Sequence, residues 1–192
     1  PPAPPPHRYL ARVSFRRRHQ YDGQWSEDKK HGMGCHSWSN GDSYTGKWDY
    51  GKRHGQGTMA VKDDYTYVGE FESDSEHGYG TFSDCAGNRY EGGWDYGIKS
   101  GRAVVTWPNG DTYSGEYFEG NRHGEGVWVT RLSTYTGLFD TGKRDGEGVE
   151  EYRDKDSGDA SGEVYKGQWS HDKKHGVGRL DGLKGEYYDG EW

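Results

Sequence analysis

Tyr44-Thr45-Gly46-Lys47-Trp48-Asp49-Tyr50-Gly51-Lys52-Arg53-His54-Gly55-Gln56-Gly57 is the stretch that decides the fold. It reads Y-x-G-x-W, then a glycine-bearing turn with basic residues, then H-G-x-G. The same signature starts at Tyr21, Tyr44, Tyr67, Tyr90, Tyr113, Tyr135, Tyr165 and Tyr188, in steps of 23, 23, 23, 23, 22, 30 and 23 residues. A fixed period of this size marks a repeat array. Tyr44, Gly46 and Trp48 are two apart, so in a strand they share one face, while Thr45 and Lys47 point to the other. Gly55, Gly57, Met59 and Val61 continue that face in the second half of the unit. Each unit therefore reads as a β-hairpin with one aromatic-and-glycine face and one polar face. Glycine weakens a strand, so its place here needs a reason. Its missing side chain leaves a slot for a neighbouring ring. Asn40-Gly41-Asp42, Gly87-Asn88 and Asn109-Gly110-Asp111 are turn signals between units. The expected fold is all-β: an elongated, twisted, open single-layer antiparallel meander of consecutive hairpins. A helix is excluded, because no apolar 3.6 period survives and glycine recurs too often.

Composition points the same way. Leu, Ile, Val and Phe together number 21 of 192 residues, against 16 Tyr and 8 Trp. Such a chain buries rings rather than aliphatic side chains, and its stability adds up from each hairpin and its neighbours. The net charge of −7 argues against nucleic acid, which calls for a basic face. Cys35 and Cys85 read as residues of second strands in the first and third units. They should lie roughly 20 Å apart, beyond disulfide reach. Free thiols point to a reducing, cytoplasmic setting. No apolar run is long enough for a spanning helix.

The pattern resembles the MORN (membrane occupation and recognition nexus) repeat family from Tyr21 to Trp192. Ser100-Gly101-Arg102-Ala103 departs from H-G-x-G in the fourth unit, and Asp145 replaces His in the sixth. Phe71, Tyr117 and Phe139 take the Trp place. The resemblance implies a non-enzymatic scaffold or adaptor at the cytoskeleton, a ciliary axoneme such as a radial spoke, or a membrane–cytoskeleton junction. As an alternative it implies a targeting module of a larger enzyme, of phosphoinositide kinase or lysine methyltransferase type.

In chain order, residues 1–8 form a proline-rich tail. Residues 9–20 hold a capping strand and the basic turn Arg16-Arg17-Arg18-His19. Residues 21–192 form the array, seven full units and a half unit, with about seven inserted residues near 153–162 that read as a surface loop. The array stops at Tyr188-Asp189-Gly190-Glu191-Trp192, midway through a hairpin. Either further chain or a second copy would pair with that edge, so a homodimer is one expectation.

Catalytic motifs are not found: no H-E-x-x-H, no G-x-S-x-G, no phosphate loop. His31, His54, His77, His123 and His175 fall about 10 Å apart in successive hairpins, too far to share one metal. They are expected to bond their own turns. Neither a cofactor nor a metal is expected. Adjacent Glu150 and Glu151 point to opposite faces.

Two surfaces remain as candidates. Lys29, Lys30, Lys52, Arg53, Arg122, Lys143, Arg144, Lys173 and Lys174 all precede the His position, so they should line one edge. Asp42, Asp63, Asp64, Asp111, Asp154 and Asp156 line the other. The basic row reads either as solvated turns or as contacts for anionic lipid headgroups or an acidic partner. The ring stripe is the second candidate. It comprises Tyr21, Trp25, Tyr44, Trp48, Tyr67, Phe71, Tyr90, Trp94, Tyr113, Tyr135, Tyr165 and Trp169. Either it forms a groove for a protein partner, as a helix or an extended peptide, or its rings stack and seal the face.

Overall fold

The computed structural model describes residues 9–15, 19–154 and 156–192. The proline-rich tail and Arg16-Arg17-Arg18 lie outside the described residues. The described residues hold sixteen strands. These are β1 (Tyr9–Phe15), β2 (His19–Ser26), β3 (Lys29–Ser37), β4 (Ser43–Asp49), β5 (Lys52–Val61), β6 (Tyr65–Glu72), β7 (Ser75–Asp84) and β8 (Arg89–Asp95). They continue as β9 (Ile98–Thr106), β10 (Thr112–Phe118), β11 (Asn121–Val129), β12 (Ser133–Asp140), β13 (Lys143–Arg153), β14 (Ala160–Ser170), β15 (Lys173–Asp181) and β16 (Tyr187–Glu191). Their order in the sheet is their order in the chain, a pure meander. By internal contacts the chain forms two units. The first holds the described residues up to Gly87 with Gly93–Ile98, and the second Asn88–Gly92 with Lys99–Trp192.

β1 takes the place of a preceding second strand, with Ala11 opposite Gly23 and Val13 opposite Tyr21. Within each hairpin the turn is two residues, both with positive φ: Glu27-Asp28, Tyr50-Gly51, Ser73-Asp74, Tyr96-Gly97, Glu119-Gly120, Thr141-Gly142 and His171-Asp172. That twist suits two-residue hairpins.

The inner register is not uniform. Gly46 faces Gly57 but Trp48 faces Arg53, so three residues on β5 oppose Lys47 alone. Gly55 absorbs this bulge at φ +60°, a value that side chains resist. Across to the next hairpin the register is regular, with Gly55, Gly57 and Met59 opposite Phe71, Gly69 and Tyr67. The first glycine of H-G-x-G thus makes the bulge, and the second sits under a ring.

Two expectations need correction. Cys85 does not belong to a strand: β7 ends at Asp84, and Cys85 is exposed in the turn that follows, its thiol free like that of Cys35. The insertion is not all loop either. Its last residues, from Ala160, lie in β14, and Arg153 pairs with Ala160.

Candidate interaction face

The core is one repeated contact. Tyr21, Tyr44, Tyr67, Tyr90, Tyr113, Tyr135 and Tyr165 are each at most 1% exposed. Six of these rings, those of Tyr21, Tyr44, Tyr67, Tyr113, Tyr135 and Tyr165, lie over the glycine two residues on and over the glycine facing it on the next strand. A methyl on Gly57 would stand 2.4 Å from the Tyr44 hydroxyl oxygen, and one on Gly46 would stand 2.6 Å from it. The same crowding recurs at Gly23 and Gly34, Gly69 and Gly80, Gly115 and Gly126, Gly137 and Gly148, and Gly167 and Gly178. The hydroxyl then donates to the carbonyl three residues on, Tyr44 to Lys47 at 2.9 Å and Tyr135 to Leu138 at 2.9 Å. Burial pushes the phenols of Tyr44 and Tyr113 up to about 12.

Around each tyrosine the rings meet edge to face. Tyr44 touches Trp48 at 5.0 Å and Phe71 of the next hairpin at 5.1 Å, at 85° and 86°. Tyr135 touches Phe139 and Trp169, both at 5.2 Å. Trp48 also donates its Nε1–H to the Gly34 carbonyl of the preceding hairpin at 3.1 Å, and Trp94 does the same to Gly80 at 3.3 Å. Every tyrosine of the stripe is therefore core. The open stripe of tyrosines is not what the structure shows, because glycine lets each ring lie flat on the sheet. A partner on this face would meet what surrounds the tyrosines.

What surrounds them is basic. The expected row along one edge splits in two. Lys29, Lys52, Lys143 and Lys173 are exposed, whereas Lys30, Arg53, Arg122, Arg144 and Lys174 are half-buried, folded over the rings. The cause is alternation: these are the first two residues of a strand, and the second of them faces the rings. Lys30 stands 4.4 Å from the Trp48 ring, Arg122 stands 5.1 Å from Phe139, and Arg144 stands 4.2 Å from Trp169. Lys174 lies within 4.7 Å of both Tyr165 and Trp192. Lys99 is a further member of the series, 4.8 Å from Tyr90. Desolvation lowers the pKa of Lys30, against a smaller opposing pull from Asp74.

Several of these cations are also tied to the following turn. Arg53 pairs with Asp74 through Nε at 3.4 Å. Arg144 pairs with Asp172 at 3.3 Å and Glu150 at 2.9 Å, and Arg122 donates to the Gly142 carbonyl at 2.5 Å. Glu150 is 8% exposed. It also accepts hydrogen bonds from Ser133 at 2.8 Å and Tyr152 at 2.7 Å, so its buried charge is satisfied. His36 occupies the same place in the first unit. Lys30 Nζ lies 2.6 Å from its Nδ1. Desolvation first, then Lys30 and His19, push its pKa down to about 4.

The histidines of H-G-x-G do not bond their own turns. His31, His54, His77 and His123 reach Asp49, Glu72, Asp95 and Asp140 of the next hairpin, at 3.3–3.6 Å. Among the described residues no group of three His, Cys, Asp or Glu could hold a metal. The face expected to be polar also carries exposed apolar residues: Met33, Val68, Val104 and Val177. Sequence reasoning missed these, although Val68 and Val104 stand out in a chain with so few aliphatics.

A chain of antiparallel hairpins with one tyrosine–glycine contact each is a repeat-array protein. The MORN repeat family model matches residues 21–43, 44–60, 67–89, 90–112, 113–130, 135–157 and 165–187. The chain belongs to the MORN repeat family. No curated protein matches it. Among solved structures it is similar to the SAS-4 (dCPAP) TCP domain of Drosophila melanogaster, solved in complex with a proline-rich motif of Ana2 (dSTIL). That likeness has 13% identity and a TM-score of 0.48, over 100% of this chain and 97% of that one.

Proposed function

We propose that this chain is a non-enzymatic scaffold or adaptor. In this reading it holds protein partners at the cytoskeleton, a ciliary axoneme or a membrane–cytoskeleton junction in the cytoplasm. The observation that carries this reading is the contrast inside each unit. The buried tyrosine and the glycines below it recur almost unchanged, while the residues around them vary: His36, Met59, Phe82, Val105, Trp128, Glu150 and Leu180 occupy one equivalent place. A constant frame carrying a varied surface suits recognition of partners along its length. A partner helix or extended peptide lies along the ring face in this reading. The free thiols of Cys35 and Cys85 agree with a reducing compartment. The test is affinity capture of the tagged chain from its native cell, with mass spectrometry and a cytoskeletal fractionation. Partners that stay bound through washing and fractionate with the cytoskeleton support the reading. A chain recovered alone in the soluble fraction overturns it.

The exposed lysines favour a second reading, a lipid-targeting module. Lys29, Lys52, Lys143 and Lys173 offer local positive charge despite the net −7, and each lysine near an anionic membrane surface contributes about 1 kcal/mol of attraction. Flotation with phosphoinositide-containing liposomes decides it. Binding that disappears when these four become Glu supports lipid targeting, and no flotation removes it.

A further inference from the structure

Six hairpins place a cation in the same slot, between their own tyrosine and the ring of the following hairpin. The cations are Lys30, Arg53, Lys99, Arg122, Arg144 and Lys174. The third hairpin breaks the series. Glu76 stands there instead, directly opposite Phe71 in the register. Among the described residues no cation stands over the Tyr67 ring, and Glu76 has no ion-pair partner. Yet the walls of the slot are built as elsewhere. Tyr67 meets Phe71 at 5.0 Å and Trp94 at 5.3 Å, both edge to face. The Glu76 backbone carbonyl accepts from Gly97 N–H at 2.8 Å, the same rung that Arg53 makes with Asp74. Its carboxylate lies near that turn, with Oε2 3.7 Å from where a Gly97 side chain would begin. The negative charge of Glu76 is felt by the Tyr65 and Tyr67 phenols, which it helps to raise.

We infer that the third hairpin is a receptor for an arginine side chain presented by a protein partner. The six filled slots show what this geometry accepts: a cation 4.2–5.9 Å from a ring centroid. Beside the Tyr67 ring the described residues supply a carboxylate and no cation, so a complementary charge can come from a partner. A half-buried carboxylate beside ring faces favours a guanidinium, which stacks, is weakly hydrated and forms charge-assisted hydrogen bonds. Arg144 shows the same preference within the chain, 4.2 Å from the Trp169 ring. This inference rests on the reading of the chain as a protein-interaction module and names one contact within it.

The test titrates the full chain with acetyl-Gly-Arg-Gly-amide, followed by the backbone amide signals of Glu76 and Gly97 in nuclear magnetic resonance. The same peptide with citrulline keeps the shape and removes the charge. The arginine peptide should shift these signals saturably, and the citrulline peptide should not. Glu76→Gln should weaken binding by about tenfold. Glu76→Arg should abolish it and raise the thermal midpoint, because the variant fills the slot as its neighbours do. No shift with arginine, equal shifts with citrulline, or undiminished binding to Glu76→Arg would each overturn the inference. Those outcomes concern the slot alone. Partners captured from the cell would still stand, so failure here is distinct from failure of the adaptor reading.

Discussion

Among their differences, hairpins two and four differ by one methyl at the place facing the first glycine. Under Tyr44 lie Gly46 and Gly57, and the fourth hairpin has Gly92 and Ala103 in the equivalent places, in contact with each other. Both tyrosines are at most 1% exposed, and both carry a cation above, Arg53 and Lys99. The fourth hairpin has also lost its H-G-x-G histidine. What is preserved is therefore the seated ring and its cationic cover, while one of the two glycines can be replaced. Only one can be: a methyl on Gly92 would meet the Ala103 methyl at 2.4 Å. The unit tolerates drift in its loop and resists it beneath the ring.

The largest expected effect comes from removing the ring. Tyr44→Ala should cost about 3–5 kcal/mol, as for other buried aromatics, read from chemical denaturation. Tyr90→Ala should cost a similar amount. A much smaller loss at Tyr90 would mean that Ala103 has already loosened its seat, and would break the equivalence of the two hairpins.

The next effect lies at the place that is Met59 in hairpin two and His36 in hairpin one, each 8% exposed. The folded state holds the His36 pKa at about 4, below its ordinary 6.5. Between these values the unfolded chain binds more protons than the folded one, so stability is full above 6.5 and is lost as pH falls toward 4. The loss should reach about 3 kcal/mol by pH 4. It should shrink in His36→Met, which borrows the residue of hairpin two. Identical pH profiles for variant and wild type would refute the assignment. Smaller still is Trp48→Phe, which copies Phe71 one hairpin on. It loses the bond to the Gly34 carbonyl and should cost about 1 kcal/mol.

Much of this was legible in the sequence. The period, the hairpin and the choice of face followed from Tyr44, Gly46 and Trp48 lying two apart. The use of glycine as a seat for a ring followed from its cost elsewhere in a strand. The bulge at Gly55 was not legible, because alternation alone reads Gly55 and Gly57 as equivalent, and only a backbone angle separates them. The basic residues were found but placed wrongly by half. Lys29 and Lys30 look alike as a pair, yet strand alternation sends the second onto the rings. The same alternation had correctly separated Glu150 from Glu151. The histidines were assigned to their own turns because contacts between hairpins depend on a neighbour 18 residues away, as His31 and Asp49 are. The Glu76 slot became visible only once the other cations were seen over rings.

The most direct measurement is the coupling between one ring and one glycine. Gly57→Ala is made in the wild-type chain and in Tyr44→Ala, and the unfolding free energies close a double-mutant cycle. With the ring present, the added methyl should cost about 1–3 kcal/mol through overpacking. With the ring gone, it should cost nothing or stabilise, since alanine suits a strand better than glycine. Equal costs in both backgrounds would contradict the account, for Gly57 would then matter through its backbone and not through the tyrosine resting on it.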